Sequence, residues 1–211
     1  MHRLLLASVL VVSLLAPTAT FAATPQEARL RPPVYGTYVN GFQFRNHADP
    51  SVLAHQGRYY AYSTNQTGTF ARRISVVSSP DLWNDWSLGP TQPAPQEVMP
   101  TQPAWARTFA QGGAFWAPSV VRTGGRFVLY FAARHRAVSS TRPGWCIGIA
   151  TSTSPTGPFQ PRSTPFFCRV NSSSATPASL SGSPGTDKGA IDPQVFRAPN
   201  GRLYLHFKAL D

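Results

Sequence analysis

The sequence predicts an all-β fold, a β-propeller, on three observations. One Pro–strand–turn–strand unit recurs three times along the chain. The second half of that unit recurs as well. No segment after the first 23 residues sustains an apolar spacing of helical period. A β-sandwich also has many short strands, but it does not call for the same unit three times.

The chain opens with an export signal over 1–23. His2 and Arg3 give a short basic start, LLLASVLVVSLLA is the apolar stretch, and Thr20 and Ala22 flank a T-F-A cleavage site. The apolar run is too short for a membrane span and Pro17 breaks its end. The mature protein, 24–211, is therefore expected to be secreted, extracellular or periplasmic, with no membrane partner. Its length suffices for a single domain with a sizeable core.

The first unit, near 43–89, reads HADPSVLAHQGRYYAYST from His47, and the second, near 112–161, reads FWAPSVVRTGGRFVLYFAA from Phe115. The third, near 189–211, reads AIDPQVFRAPNGRLYLHFKA from Ala190. In each, an apolar strand follows a proline and turns at Gln56-Gly57, Gly124-Gly125 or Asn200-Gly201 into an apolar and aromatic strand. The outer halves, ISVVSSPDLWNDWSLG and CIGIATSTSPTGPFQP, place Pro80 and Pro155 at equivalent turns. The unit spacing is 68 residues (Pro50 to Pro118) and then 75 (Pro118 to Pro193), the length of a four-stranded blade. A Pro-rich stretch, 90–104, and a Ser-rich stretch, 171–187, interrupt the array and read as long loops. Asn65 and Asn171 stand in N-x-[ST] triplets.

The formal charge is +11, with basic residues scattered rather than clustered. That is the pattern of a solvated basic surface, and together with export it excludes a nucleic-acid partner. Attraction to acidic polysaccharide follows from the same long-range field. The only cysteines, Cys146 and Cys168, either form a disulfide in an oxidising compartment or remain two buried thiols. No Cys/His cluster has metal-ligand spacing, and no cofactor is expected.

Aligning the units on their prolines puts Asp49, Ala117 and Asp192 at one position, just before the innermost strand. An Asp-Pro pair alone only suggests a turn. Ala117 performs any such structural task in unit two, so carboxylates in units one and three point to chemistry. Because each precedes proline, the expected backbone is extended. Two acids converging on a propeller mouth suit hydrolysis of a glycosidic bond, in which one group activates water and another protonates the leaving oxygen. Trp116, one residue before Ala117, is a candidate to stack on a sugar face or to pack between blades. His47 is a candidate substrate contact or a cap for the turn. Trp83 and Trp86 are expected in the core, Asp81 and Asp85 in a solvated turn, and Asp211 carries little weight.

With these residues in place the chain resembles glycoside hydrolase family 43, the arabinofuranosidase, arabinanase and β-xylosidase group. HADPSV (47–52), YYAYST (59–64), SSPDLWNDW (78–86), FWAPSV (115–120), CIGIATSTSPTGPF (146–159) and GAIDPQVF (189–196) carry the resemblance. It implies a five-bladed propeller, of which about the first two and a half blades are present. It also implies an inverting O-glycosyl hydrolase acting on arabinose- or xylose-containing polysaccharide or oligosaccharide, with Asp49 as general base and Asp192 tuning and orienting the general acid. That acid, a glutamate of a later blade, has no counterpart: the glutamates are Glu27 and Glu97. The expectation is a fragment with little or no activity. The alternative is a sugar-binding propeller without catalysis. Some relatives hold a cation near the axis, for which this stretch supplies no identifiable ligands. Sequence leaves open the oligomeric state, the sugar and the linkage.

Overall fold

Each repeat unit folds as an antiparallel hairpin, and the turn residues account for it. Gln56 and Gly57 have φ of 48° and 71°, and Gly124 and Gly125 of 56° and 75°, the paired positive values of a two-residue turn matched to strand twist. The third hairpin turns through Pro199-Asn200-Gly201, closed by the Ala198 amide on the Arg202 carbonyl at 2.9 Å. Asn200 Oδ1 accepts from the Arg202 amide at 3.0 Å, the local bond that suits asparagine to turns.

The computed structural model describes residues 38–39, 42–43, 47–64, 73–82, 86, 96–108, 114–136, 144–168 and 189–210. All lie in the unit Arg31–Asp211, whereas Met1–Leu30, with the expected signal, is a separate unit outside the described residues. Asn65, Trp83, Asp85, Asn171, Asp211 and Glu27 also lie outside them.

Thirteen strands are present among the described residues: β1 (Tyr38–Val39), β2 (Phe42–Gln43), β3 (Ser51–His55), β4 (Arg58–Ser63), β5 (Ser75–Ser79), β6 (Gln96–Glu97), β7 (Phe115–Thr123), β8 (Arg126–Arg134), β9 (Trp145–Ser152), β10 (Gln160–Pro161), β11 (Phe167–Cys168), β12 (Gly189–Arg197) and β13 (Leu203–Leu210). No helix occurs among these residues. β1 and β2 pair with each other. Blade one is the sheet β3-β4-β5-β6 and blade two is β7-β8-β9-β10, with β11 also on β9; β12 and β13 form blade three. β3, β7 and β12 are each the edge of their sheet, which permits Pro118 and Pro193 within β7 and β12 and Pro50 just before β3. β6 falls inside the 90–104 stretch expected to be loop, so that stretch supplies the fourth strand of blade one.

The core lies between blades one and two. Phe131 is fully buried, stacked at 6.2 Å on Trp105 and tilted at 5.9 Å on Phe115. Gly148 of β9 lies beneath it; an added Cβ there would meet the Phe131 ring at 2.3 Å. Tyr62 crosses from blade one, its hydroxyl donating to the Pro155 carbonyl at 2.7 Å and its ring edge-on to Phe159. Burial raises the Tyr62 phenol far above its ordinary range, so it stays a donor. The Phe159 amide donates to the Val98 carbonyl at 2.7 Å, joining the outer parts of the two blades through main chain. Blade three is tied on by the Val195 amide donating to Ser119 Oγ at 3.0 Å and by Arg197 donating to the Arg122 carbonyl at 3.0 Å. Cys146 and Cys168 are joined, staples between directly opposed residues of β9 and β11.

Candidate active site

The inner strands share one defect. In blade two Trp116 pairs with Ala132 and Ser119 with Tyr130, so Ala117 and Pro118 together face Phe131. In blade three Ile191 pairs with Lys208 and Gln194 with His206, so Asp192 and Pro193 together face Phe207. In blade one Ser51 pairs with Tyr62 while the Thr64 amide donates to the Ala48 carbonyl at 3.0 Å, so Asp49 and Pro50 face Ser63. Each is a β-bulge with two residues opposite one.

The bulge corrects the expected backbone. Asp49, Ala117 and Asp192 are not extended; their φ values are 50°, 45° and 55°. This is the left-handed region, which costs a residue with a Cβ about 1–2 kcal/mol and which Asp enters more readily than most. The bulge geometry outweighs the preference set by the following proline. Alanine holds the same conformation, so the backbone itself does not require a carboxylate.

Asp49 and Asp192 are both exposed. They stand at equivalent bulges of two blades with the Ala117 bulge between them in sequence, and β7 packs against both β3 and β12. Asp49 Oδ2 accepts from the Thr64 hydroxyl at 2.5 Å, and Thr64 Oγ accepts the Ala117 amide at 2.9 Å. Sequence reading passed over Thr64 as the end of YYAYST; only the strand register shows that it stands opposite Ala48, beside the bulge.

His47 Nε2 is 3.2 Å from the Ala61 carbonyl, to which it can only donate. Burial holds the imidazole below its ordinary range against that bond's opposite pull, so the neutral tautomer with hydrogen on Nε2 is favoured. Trp116 is 37% exposed and rests at 4.1 Å, tilted by 31°, on the buried Trp145. The Arg134 guanidinium lies 5.4 Å from the Trp145 ring centre, completing an Arg–Trp–Trp tier. Trp116 thus packs at a blade edge and still presents ring surface outward. Trp86 is half-buried, and Asp81 accepts from Ser79 Oγ at 3.4 Å. Glu97 pairs with Arg73 at 2.9 Å on the outermost strand of blade one. Among the described residues no three His, Cys, Asp or Glu side chains group as a metal site.

The sequence profile described as Glycosyl hydrolases family 43 matches residues 38–211. The chain belongs to that family. It is 27% identical over 191 residues to a protein described as a probable arabinan endo-1,5-α-L-arabinosidase B of Aspergillus fumigatus, a match covering 90% of this chain and 44% of the relative. The structure of a thermostable family-43 glycoside hydrolase aligns over 81% of the chain and 44% of that protein, with TM-score 0.52 and 28% identity. An exo-β-1,3-galactanase from Phanerochaete chrysosporium, solved with β-1,3-galactotriose, shares the fold at TM-score 0.55 and 17% identity, over 84% of this chain and 35% of its own. The chain thus spans less than half the length of these relatives. The family fold is the five-bladed propeller, and the three sheets here are part of one.

Proposed function

We propose that this chain carries the water-activating side of an inverting glycosidase site for arabinose- or xylose-containing plant polysaccharide or oligosaccharide. The observation that carries the reading is the repeated bulge, with a carboxylate in blades one and three and a methyl group in blade two. Asp49 removes a proton from water as the water oxygen bonds to the anomeric carbon. The glycosidic carbon–oxygen bond breaks on the opposite face, and the leaving oxygen takes a proton from a general acid. Asp192 orients and tunes that acid. Trp116 offers an indole to a sugar face, and His47, neutral and pinned to β4, shapes the approach to Asp49. The signal expected over 1–23 supports export before action.

The general acid is not among these residues: Glu97 is ion-paired on an outer strand and Glu27 lies next to the signal. The chain alone therefore turns substrate over slowly or not at all, with the acid supplied by a later blade. The second reading is a propeller that binds sugar without cleaving it.

Proton NMR of arabino- and xylo-oligosaccharides incubated with the whole five-bladed protein separates the readings. Inverted first-formed anomer, with turnover lowered about 10²–10⁴-fold by Asp49→Asn at unchanged thermal unfolding, supports the hydrolase. Binding without any cleavage supports the second reading. A retained anomer overturns the mechanism.

A further inference from the structure

A carboxylate on a bulge at an exposed strand edge is free to rotate unless something holds it. We infer that Thr64 is a positioning residue that fixes Asp49, and that it does so from a hydroxyl whose own direction is set by blade two. This inference rests on the role proposed for Asp49.

The direction of the two bonds follows from their chemistry. The Ala117 amide can only donate, so it occupies a lone pair of Thr64 Oγ, at 2.9 Å. The hydroxyl hydrogen is then left to Asp49 Oδ2, 2.5 Å away. The β-branched side chain restricts χ1, so the hydroxyl is held before the carboxylate arrives. With Oδ2 engaged, Oδ1 is the oxygen left to face water. A bulge also leaves its extra amide without a ladder partner. Thr64 supplies that partner for blade two while it restrains the acid of blade one.

The molecule carries an internal comparison. The residue opposite the one preceding each bulge is Thr64 in blade one, by its amide bond to Ala48, Ala132 in blade two and Lys208 in blade three. Where the bulge holds an acid, a side chain with a polar donor stands at that cross-strand position. Where the bulge holds Ala117, the position is alanine too. If threonine served only the sheet, blade two would have as much use for it as blade one.

The test uses the 211-residue chain and the Asp49 Hα–Hβ coupling constants, which report its χ1 rotamer whether or not the protein turns over sugar. In the wild type and in Thr64→Ser the two couplings should take the extreme values of one staggered rotamer. In Thr64→Val, which keeps the shape and removes the hydroxyl, they should collapse to a common averaged value. Unchanged couplings in folded Thr64→Val would overturn the inference, because a hydroxyl that served only the Ala117 amide would leave the Asp49 rotamer alone. Should Thr64→Val not fold, Asp49→Ala reads the bond from its other end. The Thr64 hydroxyl proton, slow to exchange in the wild type, should then vanish from the spectrum; persistence would overturn the inference. Where turnover is measurable, Thr64→Val should lower kcat about 10-fold or more with KM within about 2-fold, as small misplacements of a reacting group do. Absence of turnover in the 211-residue wild type is what the hydrolase reading itself expects, and the couplings then decide the positioning on their own.

Discussion

Phe131 and Phe207 occupy the same place in two blades, each alone opposite a bulge, and their surroundings differ completely. Phe131 is fully buried between Trp105, Phe115 and the Cα of Gly148, whereas Phe207 is 40% exposed, with Phe167 as its ring neighbour at 4.6 Å. The strands that carry them have similar apolar content. What differs is depth: β8 is covered by β9 and further strands, while β13 among the described residues pairs only with β12. Burial in a propeller is thus a property of the neighbouring strand and blade more than of the unit's own sequence. Blade two, the middle of the three, has no acid at its bulge. The acids sit on the blades either side of it.

The largest effect that would sharpen this contrast comes from truncating the two phenylalanines. Phe131→Ala should destabilise the protein by about 3–5 kcal/mol, read from denaturant unfolding, because it empties a site that Gly148 and Trp105 cannot collapse into. Phe207→Ala should cost about 1 kcal/mol or less, as a partly exposed side chain does. Equal costs would break the comparison. Next is the staple of blade two. Replacing Cys146 and Cys168 together by alanine should cost about 3 kcal/mol for a 22-residue separation, on the chain-entropy account of such links. The smallest effect has the opposite sign. Ala117→Gly should leave stability unchanged or raise it by up to about 1 kcal/mol, since φ of 45° suits glycine. Ala132→Gly on the adjacent strand should instead lower it by about 0.5–1 kcal/mol. A loss at both positions would argue against the left-handed bulge.

Much of this was legible in the residues. The Pro–strand–turn–strand unit gave the three hairpins because glycine and asparagine turns and alternating apolar strands are local signals. Aligning prolines also placed Asp49, Ala117 and Asp192 at one structural position. The conformation there was not legible: proline disfavours helical backbone in the residue before it, and only the register across two strands reveals the one-residue mismatch that forces φ positive. Thr64 was missed for the same reason, because its partners lie 15 and 53 residues away in sequence. β6 escaped notice because two residues, Gln96 and Glu97, are too few to show a period. The cysteine pairing is not legible in sequence, because only the fold places β11 opposite β9.

The bond from Ala117 to Thr64 sets an order of events in folding. Blade one can pair its own strands, yet the hydroxyl beside Asp49 gains its second partner only when Ala117, 53 positions later in the chain, docks against it with blade two. The constellation is completed by the arrival of the next blade.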